Sequence, residues 1–108
     1  MQQAAQRTDM IIKISDDARY EIESITEYLA TNFGLRIARE KLAKLYSDID
    51  YLIDNPFMGR SVDGHDKNLR ILSSKPNVII YDVNDRTVEI LHIVDSRTDY
   101  IRTLNLDK

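Results

Sequence analysis

After the Ile-rich run 11–14, the spacing of the apolar residues changes once, near residue 68. Before that point apolar residues recur every three or four positions, which is the period of an amphipathic helix. After it they alternate with polar residues or form short β-branched runs, which is typical of strands. The pattern therefore predicts a helical half followed by a sheet.

Two helical stripes lie in the first half. Ser15 supplies an N-cap before the first stripe, and Gly34 ends it because glycine readily adopts left-handed backbone. The second stripe is closed by Asn55-Pro56, since proline cannot extend a helix. The apolar positions of the stripes are Ala18, Ile22, Ile25, Leu29 and Phe33, then Ala38, Leu42, Leu45, Ile49 and Leu52. A short connection predicts an antiparallel hairpin.

Four segments favour strands. One is the Ile-rich run 11–14, and the others are Leu69–Leu72, Val78–Val83 and Val88–Val94, separated by turn residues. Residues 56–67 have the composition of a loop. The predicted fold is α+β with the order β-α-α-β-β-β, in which the N-terminal strand and the helical hairpin pack on one face of a small, mostly antiparallel sheet. Tyr100, Ile101 and Leu104 favour a short C-terminal helix.

The chain is 108 residues long, which is the size of one domain. Residues 1–9 are polar and show no period, so we interpret them as a disordered arm, a tag remnant or an upstream start. Residues 10–108 are then expected to form a single domain.

Composition removes several classes of function. There is no cysteine, and three glycines cannot form the glycine-rich loops that hold nucleotide phosphates. The two histidines lie in no metal-binding pattern, so we expect neither a metal nor another cofactor. No apolar run is long enough to span a membrane, and the absence of cysteine favours a reducing cytosol. A net charge of −3 disfavours general nucleic-acid binding.

Histidines and helix acids have simple structural interpretations. His92 is in phase with Val88, Ile90 and Val94, so strand alternation explains it as a core or rim residue rather than a general acid or base. His65 is expected to be a solvated loop residue. The remaining candidates are expected to lie on polar or packing faces of the helices; they are Asp16, Asp17, Glu21, Glu23 and Glu27, and the tyrosines Tyr20, Tyr28, Tyr46 and Tyr51.

Two arginines and a tyrosine are candidates for phosphate chemistry. Arg70 alternates with Leu69 and Ile71, so we expect it to point away from the core, and Arg97 follows the last strand near the same sheet edge. Tyr100 adds a hydroxyl. Guanidinium groups on one surface could clamp a phosphate. The alternative is that both arginines are exposed charges paired with acids such as Asp95 or Asp99.

The order of motifs over Met10 to Tyr100 resembles the ParE/RelE toxin superfamily. The resemblance is carried by the turn Asn55-Pro56-Phe57-Met58-Gly59-Arg60, the strands Leu69-Arg70-Ile71-Leu72, Val78-Ile79-Ile80-Tyr81 and Ile90-Leu91-His92-Ile93, and the terminal Ser96-Arg97-Thr98-Asp99-Tyr100. It implies a type II toxin–antitoxin toxin, such as a plasmid stabilisation protein. A cognate antitoxin is the expected partner, as a hetero-oligomer, and a homodimer is also compatible.

The superfamily offers two targets. ParE-like members bind DNA gyrase and trap its cleaved-DNA complex, whereas RelE-like members cleave mRNA on the ribosome. The acidic chain favours the gyrase inhibitor, which is not itself an enzyme, because a ribosome-bound protein needs a basic face. A third interpretation is a non-toxic binding module that keeps the fold.

The resemblance also assigns site residues. If the chain is a ribonuclease, Arg70, Arg97 and Tyr100 are the catalytic candidates, although the tyrosine of RelE-like enzymes lies further toward the C-terminus. Arg60, Arg70 and Arg97 are expected to bind the partner by meeting acidic residues of an antitoxin that folds on contact.

Overall fold

A computed structural model describes residues 10–62, 64, 68–100, 102 and 104. The interpretations of residues 1–9 and His65 lie outside this part of the chain. The elements, in chain order, are β1 (Ile11–Ile14), α1 (Asp16–Phe33), α2 (Leu35–Asp54), β2 (Arg60–Ser61), β3 (Leu69–Ser74), β4 (Asn77–Asn84) and β5 (Thr87–Asp95).

The helix boundaries follow the predicted signals. The Ser15 hydroxyl accepts a hydrogen bond from the Ala18 N–H and so caps α1. Gly34 separates the helices with a φ of 93°, a conformation that side chains disfavour. Asn55 ends α2 before Pro56. Neither helix is apolar over a length that would cross a membrane, within the residues described.

The strands form one sheet in the order β1-β5-β4-β3-β2. β1 runs parallel to β5, and the other neighbours are antiparallel. This confirms the predicted α+β fold with a mostly antiparallel sheet. β2 is an additional edge strand that the sequence analysis missed, because its two residues lie in a glycine-containing loop without alternation.

Both faces of the sheet are covered by apolar residues. The helices pack on one face, which we call the helix face; its cluster includes Ile22, Leu45, Ile49, Ile79 and Tyr81. The opposite side, the far face, carries a smaller cluster of Val62, Ile71, Val78, Ile80 and Leu104, with Leu69, Val94 and Tyr100 against it. Residues 100, 102 and 104 have helical backbone, in agreement with the expected C-terminal helix.

A β-bulge in β5 changes the phase of that strand. The register shifts between Ile80 and Tyr81, so that Ile90 and Ile93 both pack on the helix face. Val94 then lies in the far-face cluster. The predicted common face of Val88, Ile90, His92 and Val94 is therefore wrong, because one extra residue interrupts the alternation.

Glu21 fills the gap that the short β1 leaves beside β5. β1 ends opposite Ile90, and beyond that point the Glu21 carboxylate accepts a hydrogen bond of 2.8 Å from the Ile93 N–H. Its other oxygen lies 3.1 Å from His92 Nδ1. Glu21 is therefore a structural residue that satisfies a strand edge, rather than only a solvated helix acid as expected.

Candidate functional site

The turn between α2 and β2 is held by a buried tyrosine. The Tyr81 hydroxyl accepts a hydrogen bond of 2.9 Å from the Gly59 N–H and donates one of 2.8 Å to the Pro56 carbonyl. Burial raises the pKa of Tyr81, while the Gly59 bond and the Arg70 charge act in the opposite direction. The phenol therefore stays protonated and ties the turn to the sheet.

Gly59 allows the turn to lie against the sheet. A Cβ at this position would be 2.7 Å from the Ile71 carbonyl oxygen and 2.8 Å from the Tyr81 hydroxyl. These distances are too short for any side chain. Close packing against β3 and Tyr81 therefore explains why the Asn-Pro-Phe-Met-Gly-Arg motif has glycine at position 59.

Arg70 lies on the helix face at the edge of the sheet. It is opposite Tyr81 in the β3–β4 register, and directly opposed residues of an antiparallel pair share a face. Its guanidinium donates hydrogen bonds to the Gly59 carbonyl at 2.7 Å and the Phe57 carbonyl at 3.4 Å. It also lies 4.8 Å from the Phe57 ring centroid, a cation–π contact.

The expectation that Arg70 points away from the core is wrong. Leu69 and Ile71 are apolar because they cover the far face, so their phase does not mark the side on which the helices pack. Arg70 stabilises the turn through its hydrogen bonds to the Gly59 and Phe57 carbonyls. Its Nε is buried and has no hydrogen-bond partner among the described residues.

Arg97 is an exposed residue paired with Asp95. Its Nε and one terminal nitrogen donate to the two carboxylate oxygens at 2.9 and 2.8 Å. These side-chain hydrogen bonds lower the pKa of Asp95 to about 2, together with the bond from the Arg97 N–H. The geometry matches the alternative of an ordinary surface ion pair.

Titration of Asp95 tests this pair. The Asp95 carboxyl is expected to titrate near pH 2 in a carbon-detected NMR experiment, against an ordinary value of 3.8. Because its pKa is lower in the folded state, the pair stabilises the fold above about pH 4 and loses this effect as the pH falls toward 2. Arg97→Ala is expected to raise the midpoint toward the ordinary value, but not fully, because the backbone N–H of residue 97 still donates to Asp95. An unchanged midpoint in that variant would exclude Arg97 as the cause.

The structure does not bring the two candidate arginines together. Arg70 is opposite Tyr81, whereas Asp95, two residues before Arg97, is opposite Asn77. Tyr81 and Asn77 are four positions apart on β4, which corresponds to about 13 Å. The Arg70 guanidinium lies on the helix face and not on the far face. The proposed common surface of Arg70 and Arg97 is therefore wrong.

Arg60 and Tyr100 lie together instead, on the far face. Both line a shallow cavity of about 350 Å³, which we call the far-face cavity. Arg60 is opposite Ile71 in the β2–β3 register and therefore shares its face. Ser73 and Ser96 also line this cavity. Nothing in the local pattern marks these serines, because strand pairing and the chain after β5 place them there.

A groove lies beside the half of the helical hairpin that is nearest the Gly34 connection between α1 and α2. This groove has a volume of about 640 Å³ and is bounded by α1, α2, the β3–β4 turn and the chain after β5. Its apolar lining includes Ile25, Leu29, Leu45 and Ile93. We call it the hairpin groove.

Two aromatic rings at the rim of the hairpin groove are exposed. Tyr28 is 61% and Phe33 is 58% exposed, and their rings contact edge to face with centroids 6.2 Å apart. Phe33 belongs to the apolar stripe of α1 but is not in the core. The sequence analysis could not separate groove from core because both continue the same helical stripe.

Cations surround the hairpin groove. The lining contains Lys41, Lys44, Lys75 and Arg97, with Asp95 the one acidic residue among the described residues that form it. Lys44 bonds to Asp48 at 2.8 Å, and Asp48 also accepts the hydroxyl of buried Ser74 at 2.6 Å. Burial raises the pKa of Asp48, but the bonds from Lys44 and Ser74 outweigh it and lower the pKa overall. Lys41 and Lys75 remain without a carboxylate partner in the described part of the chain.

Within the described ranges, no group of three or more His, Asp or Glu side chains is placed to hold an ion. The two cavities are lined by apolar, hydroxyl, amide and cationic groups, and Asp95 in the hairpin groove is the one carboxylate among their described lining residues. Such surfaces are suited to bind a protein segment or an anion.

Comparison with known proteins places the chain in a family. Residues 12–100 match the family model described as the ParE toxin of the type II toxin–antitoxin system parDE. No curated protein sequence matches the chain.

Solved structures of other proteins share the fold. The chain is similar to a structure described as the chromosomal ParDE toxin–antitoxin system from P. aeruginosa, with a TM-score of 0.69 and 17% identity over 80% of this chain and 95% of that one. It is similar to the E. coli DinJ-YafQ toxin–antitoxin complex, with a TM-score of 0.57 and 19% identity over 81% and 92%. A conserved hypothetical protein from Helicobacter pylori has a TM-score of 0.50 and 17% identity over 80% and 93%.

Proposed function

Since the chain belongs to the ParE toxin family of type II toxin–antitoxin systems, we propose that it binds DNA gyrase and poisons the cleaved-DNA complex of that enzyme. We further propose that a cognate antitoxin neutralises it by covering the hairpin groove. In this function the chain inhibits by binding and has no reaction of its own to catalyse.

The separation of Arg70 and Arg97 is the observation that favours gyrase over the ribosome as the target. A ribonuclease that used Arg70, Arg97 and Tyr100 would need them around one scissile phosphate, since transition-state charge is stabilised only at hydrogen-bond distance. Arg70 is bonded to the turn on the helix face, and Arg97 is bonded to Asp95 near the other end of the sheet. The net charge of −3 also disfavours a surface among ribosomal phosphates.

A gyrase assay tests the proposed target. Purified protein added to gyrase, relaxed plasmid and ATP is expected to stop supercoiling and to accumulate cleaved plasmid after detergent and protease treatment. The matched control is the same titration with a type I topoisomerase, whose relaxation activity is expected to stay unchanged. Unchanged supercoiling and cleavage at saturating protein would overturn the gyrase proposal.

The alternative target has its own assay. If translating ribosomes cut their message when the protein is added, and Arg97→Ala with Tyr100→Phe abolishes the cutting, a ribosome-dependent ribonuclease replaces the gyrase inhibitor. These substitutions avoid Arg70, whose loss would disturb the turn. If neither assay responds to folded protein, the chain is a binding module that keeps the fold.

The antitoxin proposal rests on the composition of the hairpin groove. Two of the described solved structures that share the fold are toxin–antitoxin systems. An amphipathic helix would cover Tyr28 and Phe33 with its apolar side and direct acidic residues at Lys41, Lys75 and Arg97. Of the three arginines expected to meet the antitoxin, this assigns Arg97 to the groove, whereas Arg60 faces the far-face cavity.

A further inference from the structure

The far-face cavity has the composition of an anion site, and the proposed function does not use it. One guanidinium and three hydroxyl groups line it, from Arg60, Ser73, Ser96 and Tyr100. None of the described lining residues is Asp or Glu. The cavity therefore carries a local positive charge on a protein that is acidic overall.

Three separate segments position these groups. Arg60 on β2 is opposite Ile71, and Ser73 is two residues further along β3, so both point to the far face. The Ser96 N–H donates a hydrogen bond of 2.9 Å to the Pro76 carbonyl, which fixes the chain after β5 against the β3–β4 turn. Tyr100 packs against the far-face cluster. Backbone pairing and core contacts therefore bring these four side chains to one cavity.

Among the described residues, Arg60 belongs to the exposed arginines that have no acidic partner, as do Arg19, Arg39 and Arg86. Arg36, Arg97 and Arg102 each lie within 4 Å of a carboxylate. Among the described residues, no carboxylate is paired with the Arg60 guanidinium. Asp99, which precedes Tyr100, has its carboxylate 3.7 Å from Arg102 instead. The Arg60 guanidinium therefore remains available to an external anion.

We propose that the far-face cavity binds one phosphate group, with Arg60 donating paired hydrogen bonds and the hydroxyls of Ser73, Ser96 and Tyr100 completing the shell. Guanidinium and phosphate match in geometry and charge. The volume of about 350 Å³ and the apolar floor of Ile71 and Val78 also accommodate the sugar carbons of a phosphodiester. A nucleic-acid backbone and free phosphate offer the same chemistry, and the experiment separates them.

NMR titration of the isolated protein tests this site without gyrase, so its outcome is independent of the proposed target. Inorganic phosphate is added in one series and a thymidine trinucleotide in another, with amide shifts as the readout. We expect saturating shifts centred on Ser73, Ser96 and Tyr100, with dissociation constants of about 1 mM for phosphate and lower for the trinucleotide.

Arg60→Gln is expected to weaken binding at least about tenfold. Arg86→Gln is the matched control, because it removes the same charge from an exposed residue in the β4–β5 turn, at the other end of the sheet. It is expected to leave the dissociation constant within about twofold. Both residues are exposed, and the spectra themselves report that the variants fold.

Each outcome decides the proposal. Equal losses in the two variants, or shifts that do not localise to the cavity, would overturn it because the response would reflect net charge alone. Localised shifts with phosphate but none with the trinucleotide would support a phosphate site in the cavity and identify free phosphate as its ligand. Localised shifts with both, lost in Arg60→Gln, would support a backbone phosphodiester site.

Discussion

Gly59→Ala is expected to lower the free energy of unfolding by about 3 kcal/mol. The added methyl group would lie 2.7 Å from a backbone oxygen of β3 and 2.8 Å from the Tyr81 hydroxyl. Overpacking of this kind costs about 1–3 kcal/mol, and moving Tyr81 also weakens its two hydrogen bonds with the turn, at about 1 kcal/mol each. Urea unfolding followed by circular dichroism measures the loss.

A double-mutant cycle separates this explanation from a general effect of alanine. Tyr81→Phe alone is expected to cost about 2 kcal/mol, because it leaves the Gly59 N–H and the Pro56 carbonyl without their partner. Combined with Gly59→Ala it should cost less than the sum, since both changes remove the same contact. Gly34→Ala is the control, because a Cβ there meets nothing within 4 Å. The free-energy cost of Gly34→Ala, which comes from backbone strain, is expected to add to the cost of Tyr81→Phe. If the costs of Gly59→Ala and Tyr81→Phe were also additive, the proposed contact would be contradicted.

Tyr28→Ala is expected to weaken antitoxin binding about 30-fold, equivalent to about 2 kcal/mol. Aromatic side chains in apolar grooves are common sites of high binding energy, and Tyr28 also supports the Phe33 ring. Tyr28 is 61% exposed, so its removal should leave the fold intact. Calorimetry with the purified antitoxin measures the dissociation constant.

Tyr20→Ala provides the matched control. Tyr20 is on the same helix and is 69% exposed, but it does not line the hairpin groove. Its substitution is expected to change the dissociation constant by less than about twofold. Equal effects of the two substitutions, or a larger effect at Tyr20, would show that the antitoxin covers another part of α1 and would exclude the groove.

Local signals predicted the helices and strands well. Ser15, Gly34 and Asn55-Pro56 end or begin helices through their own backbone chemistry, which depends little on distant residues. The strand segments were recognised within two residues at their ends because β-branched runs bounded by turn residues are local features as well. The two-residue β2 was missed because it exists only through pairing with β3.

The candidate site was predicted less completely. Arg60, Arg70, Arg97 and Tyr100 were identified by type and motif, but their grouping was wrong. Alternation assigns Arg70 to the side opposite Leu69 and Ile71, yet it cannot say which side the helices cover when both faces are apolar. The β5 bulge adds a further change of phase that alternation does not predict.

By itself, the sequence determined the element types, their order and the family resemblance, because helix period, strand alternation, caps and turns are properties of neighbouring residues. Only the tertiary structure decided which face Arg70 occupies, that Arg60 joins Tyr100 at a cavity, and that Tyr28 and Phe33 border a groove instead of the core. These outcomes depend on pairing and packing between residues far apart in the chain, where a one-residue shift reverses the direction of every side chain that follows.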